Sequence, residues 1–205
     1  MRIRPAALTD ARDAAPLLLE PSPSLAVIFG SAPAALRVAR STFRSKHTLY
    51  SFRNAMVAED EGRLVGMLVA IPGSAWPRLR VTTGLVMVGA APHRAPGLIR
   101  RGGVLDRLTP PAPADSLYVS SLAVAESARR KGAASMLMRD AIERARRAGL
   151  RALTLDVAMD SEGARRFYER AGFVETSRNE TTERDRRIID APGLIRMEAP
   201  VALPA

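Results

Sequence analysis

Cysteine is absent from this chain of 205 residues, and histidine occurs only twice, at His47 and His93. Without cysteine the protein has no disulfide, no thiolate metal ligand and no cysteine nucleophile. The two histidines are far apart in sequence and lack the spacing of metal ligands, so we expect no metal. These absences exclude cysteine-dependent chemistry and favour a reducing, cytoplasmic setting.

Long apolar runs are also missing. The first ten residues, MRIRPAALTD, contain no apolar signal-peptide core, and no run approaches the length of a membrane span. We therefore expect no membrane association. A hydrophobic content of 47% suits a globular protein of this length with a sizeable core. We predict one domain over residues 1–205, as a monomer or a homodimer.

Lysine and aromatic side chains are scarce, whereas arginine is abundant. The formal net charge is +10, although Lys46 and Lys131 are the only lysines. Such a charge fits nucleic acid, an acidic partner or a phosphate-rich ligand. The arginines are scattered, and five Phe, three Tyr and one Trp offer few surfaces for stacking on bases. Nucleic-acid binding is therefore disfavoured.

The most informative stretch that the chain does contain is a strand, a basic turn and a helix in succession. The apolar run Leu117–Val124 predicts a buried strand, and a helical pattern runs from Ala133 to Gly149. Between them lies the basic segment Arg129–Gly132. Free N–H groups at a helix N-terminus, a glycine and three cations suit a phosphate, although a solvated loop is the alternative. The spacing matches neither GxxxxGK[ST] nor GxGxxG, which disfavours nucleoside triphosphates and dinucleotides.

The remaining patterns predict an α/β protein. Strand 117–124 and a second apolar run, 152–158, flank one helix, so the two strands should be parallel. We further predict a strand at Ile3, a helix capped by Thr9 or Asp10, a helix over Pro33–Phe43, a hairpin over Asn54–Ile71, helices over 78–89 and 96–108, a helix capped by Asp160 or Ser161, strands over Phe173–Ser177 and Gly193–Val201, and a charged turn over Arg178–Arg187.

Two motifs resemble those of the GCN5-related N-acetyltransferases (GNAT). Arg129-x-x-Gly132-x-Ala134 is similar to the family signature [QR]-x-x-G-x-[GA]. The segment 161–173, SEGARRFYERAGF, is similar to the second family block, N-x-x-A-x-x-[LF]-Y-x-x-x-G-F. This chain departs from the pattern at Ser161, where the family usually has Asn, and at Ala134 in place of a glycine. The matching parts cover roughly residues 54–68 and 116–177.

The resemblance implies a GNAT-like fold and activity. The fold would be a mixed, mostly antiparallel sheet whose central parallel strand pair splays apart, flanked by helices. Segment 78–113 would be an insertion that covers the acceptor site or packs as a loop on the sheet edge. The activity would be direct transfer of acetyl from acetyl-CoA to a primary amine in a ternary complex.

The same resemblance implies a set of donor-binding residues. The pantetheine arm would pair with the main chain of Leu122 and Val124, and an N–H near Ala123 would contact the thioester oxygen. The diphosphate would lie on the backbone of 130–135, and Ser161 would contact the pantetheine or a phosphate. The full predicted set is Leu122, Ala123, Val124, Arg129, Arg130, Lys131, Gly132, Ala133, Ala134, Ser135, Ser161 and Tyr168.

Two side chains are candidates for proton transfer. Tyr168 lies at the family's general-acid position, although an aromatic on an apolar helix face is also an ordinary core residue. Asp156 is the only charge in its strand, and the resemblance implies a base there, because the ribosomal-protein acetylating branch of the family has a Glu base at the same place. The alternative is that Asp156 binds an arginine or a backbone N–H. Weaker candidates for the base are Glu59, Asp60 and Glu126.

The acceptor amine is not specified by any pattern in the sequence. Two other functions stay open at this point: a non-catalytic acyl-CoA-binding or sensing module, and a basic nucleic-acid-associated protein.

Overall fold

Seven strands form one sheet in the computed structural model, which describes residues 1–21, 29–189 and 191–202. Numbered along the chain, the strands are β1 (Arg2–Pro5), β2 (Ala55–Asp60), β3 (Arg63–Pro72), β4 (Ser116–Val124), β5 (Ala152–Ala158), β6 (Val174–Glu180) and β7 (Gly193–Pro200). The helices are α1 (Ala11–Leu19), α2 (Ala32–Arg44), α3 (Trp76–Ala90), α4 (Ala95–Leu108), α5 (Ala133–Arg147), α6 (Glu162–Arg170) and α7 (Glu183–Ile189). No helix within these described ranges is long and apolar enough to cross a membrane.

The sheet has the predicted mixed, mostly antiparallel architecture. Its strand order is β1-β2-β3-β4-β5-β7-β6. Only β4 and β5 run parallel, and α5 forms the crossover between them. The predicted fold class is therefore confirmed, and so are the β2–β3 hairpin and the two helices α3 and α4 in the least regular part of the sequence.

Each face of the sheet is covered by its own set of helices. On one side, which we call the α5 face, buried residues of α5 pack against Leu117, Val119, Leu153, Leu155, Val157, Ile195 and Met197. On the other side, the α1 face, helices α1 and α2 pack against Val57, Met67, Val69 and Ala123, and the start of α3 packs against Ile71 and Tyr118. Because side chains alternate along a strand, each residue's face follows from its neighbours.

The entry into α1 differs from the predicted cap. Asp10 stands at the N-cap position, but its carboxylate does not cap α1. It accepts two hydrogen bonds from the Arg4 guanidinium, at 2.8 and 2.9 Å, and one from the Ala7 N–H at 2.7 Å. The side chain therefore ties β1 to the turn before the helix, because a bidentate arginine is a stronger partner than a single helix N–H.

The predicted charged turn over Arg178–Arg187 is wrong. Strand β6 continues to Glu180, and α7 follows it. The Asp185 N–H donates to Thr182 Oγ1, and the Thr182 N–H donates to Asp185 Oδ2, so the two residues cap the helix reciprocally. Ile189 is buried against Val104 and Leu108 of α4, and this contact stabilises α7. The helix was not predicted because most of its residues are charged and its apolar face is short.

The Arg4–Asp10 pair predicts an acid-sensitive contribution to stability. Hydrogen bonding from Arg4 is the main effect that lowers the pKa of Asp10 below its usual value. A carboxylate with a lowered pKa stabilises the fold above its unfolded-state pKa, and that contribution disappears as the pH falls through the folded-state pKa. We expect Asp10→Asn to lower the free energy of unfolding by up to about 1 kcal/mol at pH 7. In urea titrations this difference should shrink below about pH 4. Asp13→Asn, an exposed change on the same helix, is the control, and an undiminished difference at pH 3 would contradict the assignment.

Candidate functional site

The central parallel strands separate part-way along their length. Their last paired residues are Val119 and Leu155. Ser120 is an extra residue on β4, where the register with β3 shifts, and a bulge of this kind bends the strand. Beyond it, β4 stays on β3 as far as Val124 and β5 stays on β7 as far as Ala158. The result is a V-shaped opening between β4 and β5, which we call the cleft.

Main-chain groups of β4 point into the cleft. The Ala125 N–H donates to Val65 O at 2.8 Å, which directs residue 125 toward β3. Backbone direction alternates along a strand, so Ala123 also faces β3, where it is opposite Met67. The N–H and C=O groups of Leu122 and Val124 therefore face the cleft, as the predicted pairing with a ligand requires. Because the Ala123 N–H lies on the β3 side, these two flanking residues supply the N–H groups nearest the position predicted for the thioester oxygen.

The basic turn between β4 and α5 has the geometry of an anion site. Arg130 and Gly132 are both left-handed, with φ of 62° and 87°. The N-cap of α5 is Gly132, and its oxygen accepts from the Met136 N–H at 3.0 Å. The N–H groups of residues 133–135 precede that bond and have no intrahelical acceptor. Open space surrounds the position of a Gly132 Cβ, so the backbone is accessible to a ligand.

The three predicted cations of this turn have different surroundings. Arg129 forms an ion pair with Glu20, and its Nε donates to Val124 O at 3.3 Å. Arg130 and Lys131 are exposed, and neither forms an ion pair with any residue that the structure describes. The positive charge available to an anion therefore comes mainly from Arg130 and Lys131, together with the helix dipole.

Tyr168 lies on the α5 face, the side of the basic turn, and Ser161 is the N-cap of α6, the helix that contains Tyr168. The Tyr168 ring packs edge-on against Phe167 and Phe173, with centroids 5.4 and 5.7 Å away. Burial raises the pKa of Tyr168 to about 12, so the phenol is protonated at neutral pH. The Ser161 side chain does not cap α6, which leaves its hydroxyl uncommitted to that helix. Tyr168 therefore has the ring contacts of a core residue and also the protonated hydroxyl that a general acid needs.

Asp156 lies on the α1 face, because its neighbours along β5 pack on the other side. Its carboxylate receives Arg196 Nε at 2.8 Å, Arg196 Nη2 at 2.9 Å and the Tyr118 hydroxyl at 3.0 Å. The Asp156 and Arg196 side chains are each 6% exposed. Burial, and then the charge of Asp156, raise the pKa of Tyr118 well above its usual value, so the hydroxyl keeps its proton. Of the alternatives left open for Asp156, the arginine partner is present, and the base role stays a prediction.

Sequence reasoning missed two members of this cluster, Tyr118 and Arg196. The signal was a single arginine among apolar residues of the last strand, GLIRMEAP, which complements the single carboxylate of β5. Ser121, the residue after the bulge, was also missed. Its hydroxyl is buried and has no hydrogen-bond partner among the described residues.

Of the three weaker base candidates, Glu126 follows β4 in the turn before Arg129, whereas Glu59 and Asp60 lie away from the cleft. Glu59 pairs with Arg2 and Arg4, and Asp60 pairs with the N-terminal amine. Both are on β2, which β3 and β4 separate from the cleft. Among the described residues there is also no cluster of His, Asp and Glu that could hold a metal ion.

Comparison with known proteins identifies the family to which this fold belongs. The model of the Acetyltransferase (GNAT) family matches residues 30–173, which include the cleft, the basic turn and α6. This chain belongs to the GNAT family. The match supports acyl transfer as the general activity of this GNAT protein.

Relatives and solved structures agree with the family assignment. GCN5-related N-acetyltransferase 6, a chloroplastic protein of Arabidopsis thaliana, is 37% identical over 70 residues. The match covers 33% of this chain and 24% of that protein, so the chain spans about a quarter of this curated relative. A crystal structure of an acetyltransferase shares the fold at 20% identity, with a TM-score of 0.71 over 98% of this chain and 100% of that one. An N-acetyltransferase from Staphylococcus aureus Mu50 gives 0.74 at 17% identity, over 98% and 100% of the chains.

The left-handed glycine at the start of α5 predicts a selective loss of ligand binding. Gly132 and Gly149 lie at opposite ends of α5, both with positive φ and both with open space around the Cβ position. Alanine at either position should lower the free energy of unfolding by about 1 kcal/mol, because side chains disfavour that backbone conformation. Only Gly132→Ala should also weaken binding of coenzyme A in calorimetry, because relaxation of this turn moves the N–H groups. Equal affinity in the two variants would show that the turn does not bind the ligand.

Proposed function

We propose that this GNAT protein is an N-acetyltransferase that transfers acetyl from acetyl-CoA to a primary amine by direct attack in a ternary complex. The observation that carries the proposal is the continuity of the cleft with the basic turn. Together they present cleft-facing backbone groups on β4, of which Val124 O already accepts from Arg129, and free N–H groups at the N-terminus of α5, within one loop of each other. An extended thioester with a diphosphate at its far end requires both features.

Acetyl-CoA fits the groups that are present. Leu122 and Val124 offer main-chain donors and acceptors to the amide groups of the pantetheine arm, as a neighbouring strand would. The N–H groups of 133–135 and the charges of Arg130 and Lys131 suit the diphosphate. Arg129 contributes less charge because of its pair with Glu20. Ser161 lies at the start of α6, and its hydroxyl, which does not cap that helix, would contact the arm or a phosphate.

Acyl transfer to an amine requires stabilisation of two developing charges. A cleft-facing N–H of Leu122 or Val124, next to Ala123, would hydrogen-bond the thioester oxygen as it gains negative charge. Tyr168, protonated and on the donor side of the sheet, would donate to the sulfur as the carbon–sulfur bond breaks. No cysteine is present to form an acyl-enzyme, which agrees with direct attack of the amine on the thioester carbon.

The attacking amine must lose a proton before or during attack. A lysine-like amine, with a pKa of about 10.4, is mostly protonated at pH 7, and an α-amine near 8 less so. Asp156 stays a prediction for this role, but Arg196 and Tyr118 already occupy three of the approximately four acceptor sites of its carboxylate. Transfer through water to solvent is the alternative. We leave the acceptor as an amine of unspecified class and propose no nucleic-acid partner.

Donor binding is the first quantity to measure. We expect calorimetric titration to give micromolar affinity for acetyl-CoA and for free CoA. Arg130→Glu should lower the affinity at least about tenfold, because it places a negative charge beside the diphosphate. Arg187→Glu changes the net charge equally at an exposed position on α7 and should have no effect.

The outcomes separate the candidate functions. Failure of the folded parent protein to bind acetyl-CoA would contradict the proposal. Binding without turnover across a panel of amines would favour a non-catalytic acyl-CoA-binding module. Equal loss of affinity in both charge-reversed variants would indicate a general electrostatic effect, in which case salt-dependent binding to random DNA becomes the next test.

Tyr168→Phe tests the role of the phenol. The change removes only the hydroxyl and keeps the aromatic contacts with Phe167 and Phe173. We expect kcat to fall roughly 10²-fold, the usual scale for general-acid assistance, while acetyl-CoA affinity is unchanged. Because the pKa of Tyr168 is raised to about 12, the parent's pH–rate profile should show no loss of activity from Tyr168 ionisation below pH 10. Phe167→Leu is the packing control, and a Tyr168→Phe variant with full activity would assign Tyr168 to the core alone.

A further inference from the structure

Tyr118, Asp156 and Arg196 form a buried polar cluster at the closed end of the cleft. Asp156 is the first residue of β5 beyond the last β4–β5 pair, Val119–Leu155. The cluster lies on the α1 face, opposite the basic turn and α6. If the donor enters from the α5 face, the α1 face is the side from which a second substrate can reach the thioester.

The cluster is connected to the segment that contains α3 and α4. Arg196 Nη2 donates to the Pro110 carbonyl in the connector between α4 and β4. The Arg196 guanidinium also lies over the Tyr118 ring, 5.6 Å from its centroid. The Tyr118 ring in turn meets Trp76, the first residue of α3, edge-on at 6.3 Å. One side chain of β7 therefore holds the base of the cleft and the end of the α3–α4 segment together.

The contact continues from α3 into α4. The Arg80 guanidinium lies 4.8 Å from the centre of the Trp76 ring and donates to Gly102 O at 3.0 Å. On the outer side, Asn179 Nδ2 donates to Leu108 O at 3.0 Å, and Arg107 pairs with Asp185 at 2.7 Å. These outer bonds come from β6 and α7. The α3–α4 segment is thus attached to β6 and α7 through Leu108 and Arg107, and to β7 just after α4, where Arg196 holds Pro110 O.

We propose that Asp156 and Arg196 are positioning residues that fix the α3–α4 segment as a wall on the acceptor side of the cleft. This inference rests on the proposed transfer to an amine. Arg196 is the shared member: its two donors to Asp156 set the guanidinium plane, and one of those nitrogens also holds Pro110 O. A wall fixed in this way excludes water from the thioester and gives the amine a defined approach.

The geometry favours this role for Asp156 over proton transfer. A general base needs an accessible lone pair within hydrogen-bond reach of the amine. Here three donors surround the carboxylate, and the side chain is 6% exposed. Buried charges persist in proteins when they are paired, and the pair then restricts the arrangement of the elements that carry it.

The test uses two single variants and their double variant, and its readouts need no acceptor amine. Asp156→Asn and Arg196→Met each remove one charge, and the double variant removes both while residue 156 still accepts from Tyr118. Hydrogen exchange of 76–108 reports how firmly the wall is held. Release of CoA from acetyl-CoA in water reports solvent access to the thioester: water attacks the carbonyl carbon, the carbon–sulfur bond breaks, and acetate and the CoA thiol form. A thiol reagent detects that thiol without background, because the protein has no cysteine.

We expect each single variant to exchange roughly tenfold faster in α3 and α4, to hydrolyse acetyl-CoA faster than the parent, and to bind acetyl-CoA with unchanged affinity. The double variant should exchange and hydrolyse acetyl-CoA as fast as Arg196→Met, because neither variant keeps the Arg196 bond to Pro110 O. Arg196→Lys, which keeps the charge but not the bidentate geometry, should be intermediate. Arg146→Met removes an exposed pair with Glu143 and should change neither readout.

Two results would overturn the inference. One is unchanged exchange of 76–108 in both single variants. The other is slower hydrolysis of acetyl-CoA in Asp156→Asn than in the parent, which would assign Asp156 to proton transfer. If the parent itself does not bind acetyl-CoA, the proposed function fails, and the exchange data still decide whether the cluster holds the α3–α4 segment.

Discussion

The separation of β4 from β5 is the constraint on which the rest of this structure depends. Two adjacent parallel strands would normally pair along their whole length, because buried N–H and C=O groups need partners. Here the bulge at Ser120 bends β4, and pairing stops at Val119 and Leu155. The separated ends remain ordered because each keeps its other neighbour, β3 for β4 and β7 for β5. The unpaired inner edges are then available to a ligand that is itself extended and rich in amide groups.

That opening divides the molecule into two chemically different sides. The α5 face has a helix N-terminus, exposed cations and a protonated phenol, all suited to a phosphorylated thioester and its leaving sulfur. The α1 face has the buried ion pair between Asp156 and Arg196, and helices cover this side of the sheet. Tyr168 and Asp156, the two side chains predicted for proton transfer, lie on opposite sides. Because the sheet separates them, Tyr168 and Asp156 are better suited to independent roles than to one shared proton relay.

Some of these features are local in sequence, and these could be predicted. The parallel strand pair follows from two apolar runs around a crossover helix, and the basic turn follows from Arg129–Gly132 before a helical pattern. The hairpin and the helices α3 and α4 follow from periodicity and turn residues. Helix α7 was missed because a single reciprocal cap, Thr182 with Asp185, and a few buried contacts decide it among ten mostly polar residues.

The features that could not be predicted are contacts between distant parts of the chain. Arg196 meets Asp156 forty residues away and Pro110 eighty-six residues away. Glu20 pairs with Arg129 across 109 residues. Both contacts change how a predicted site residue can act. Arg196 donates to the carboxylate of Asp156, the candidate base, and Glu20 offsets the charge of Arg129, one of the three cations of the basic turn. A local motif therefore predicts a candidate donor site more readily than it predicts which side chains would perform each step.

The same contacts explain why a net charge of +10 does not make every arginine of this protein a candidate anion site. Many arginines are neutralised in place, as Arg4 is by Asp10 and Glu59, Arg107 by Asp185, and Arg196 by Asp156. Exposed charges separated by more than about 8 Å are largely screened at physiological salt, so dispersed arginines add little to binding at one point. What distinguishes the basic turn is the convergence of Arg130 and Lys131 with free backbone N–H groups and the dipole of α5. Local geometry, rather than the total charge, therefore favours this turn as the place where a diphosphate would bind.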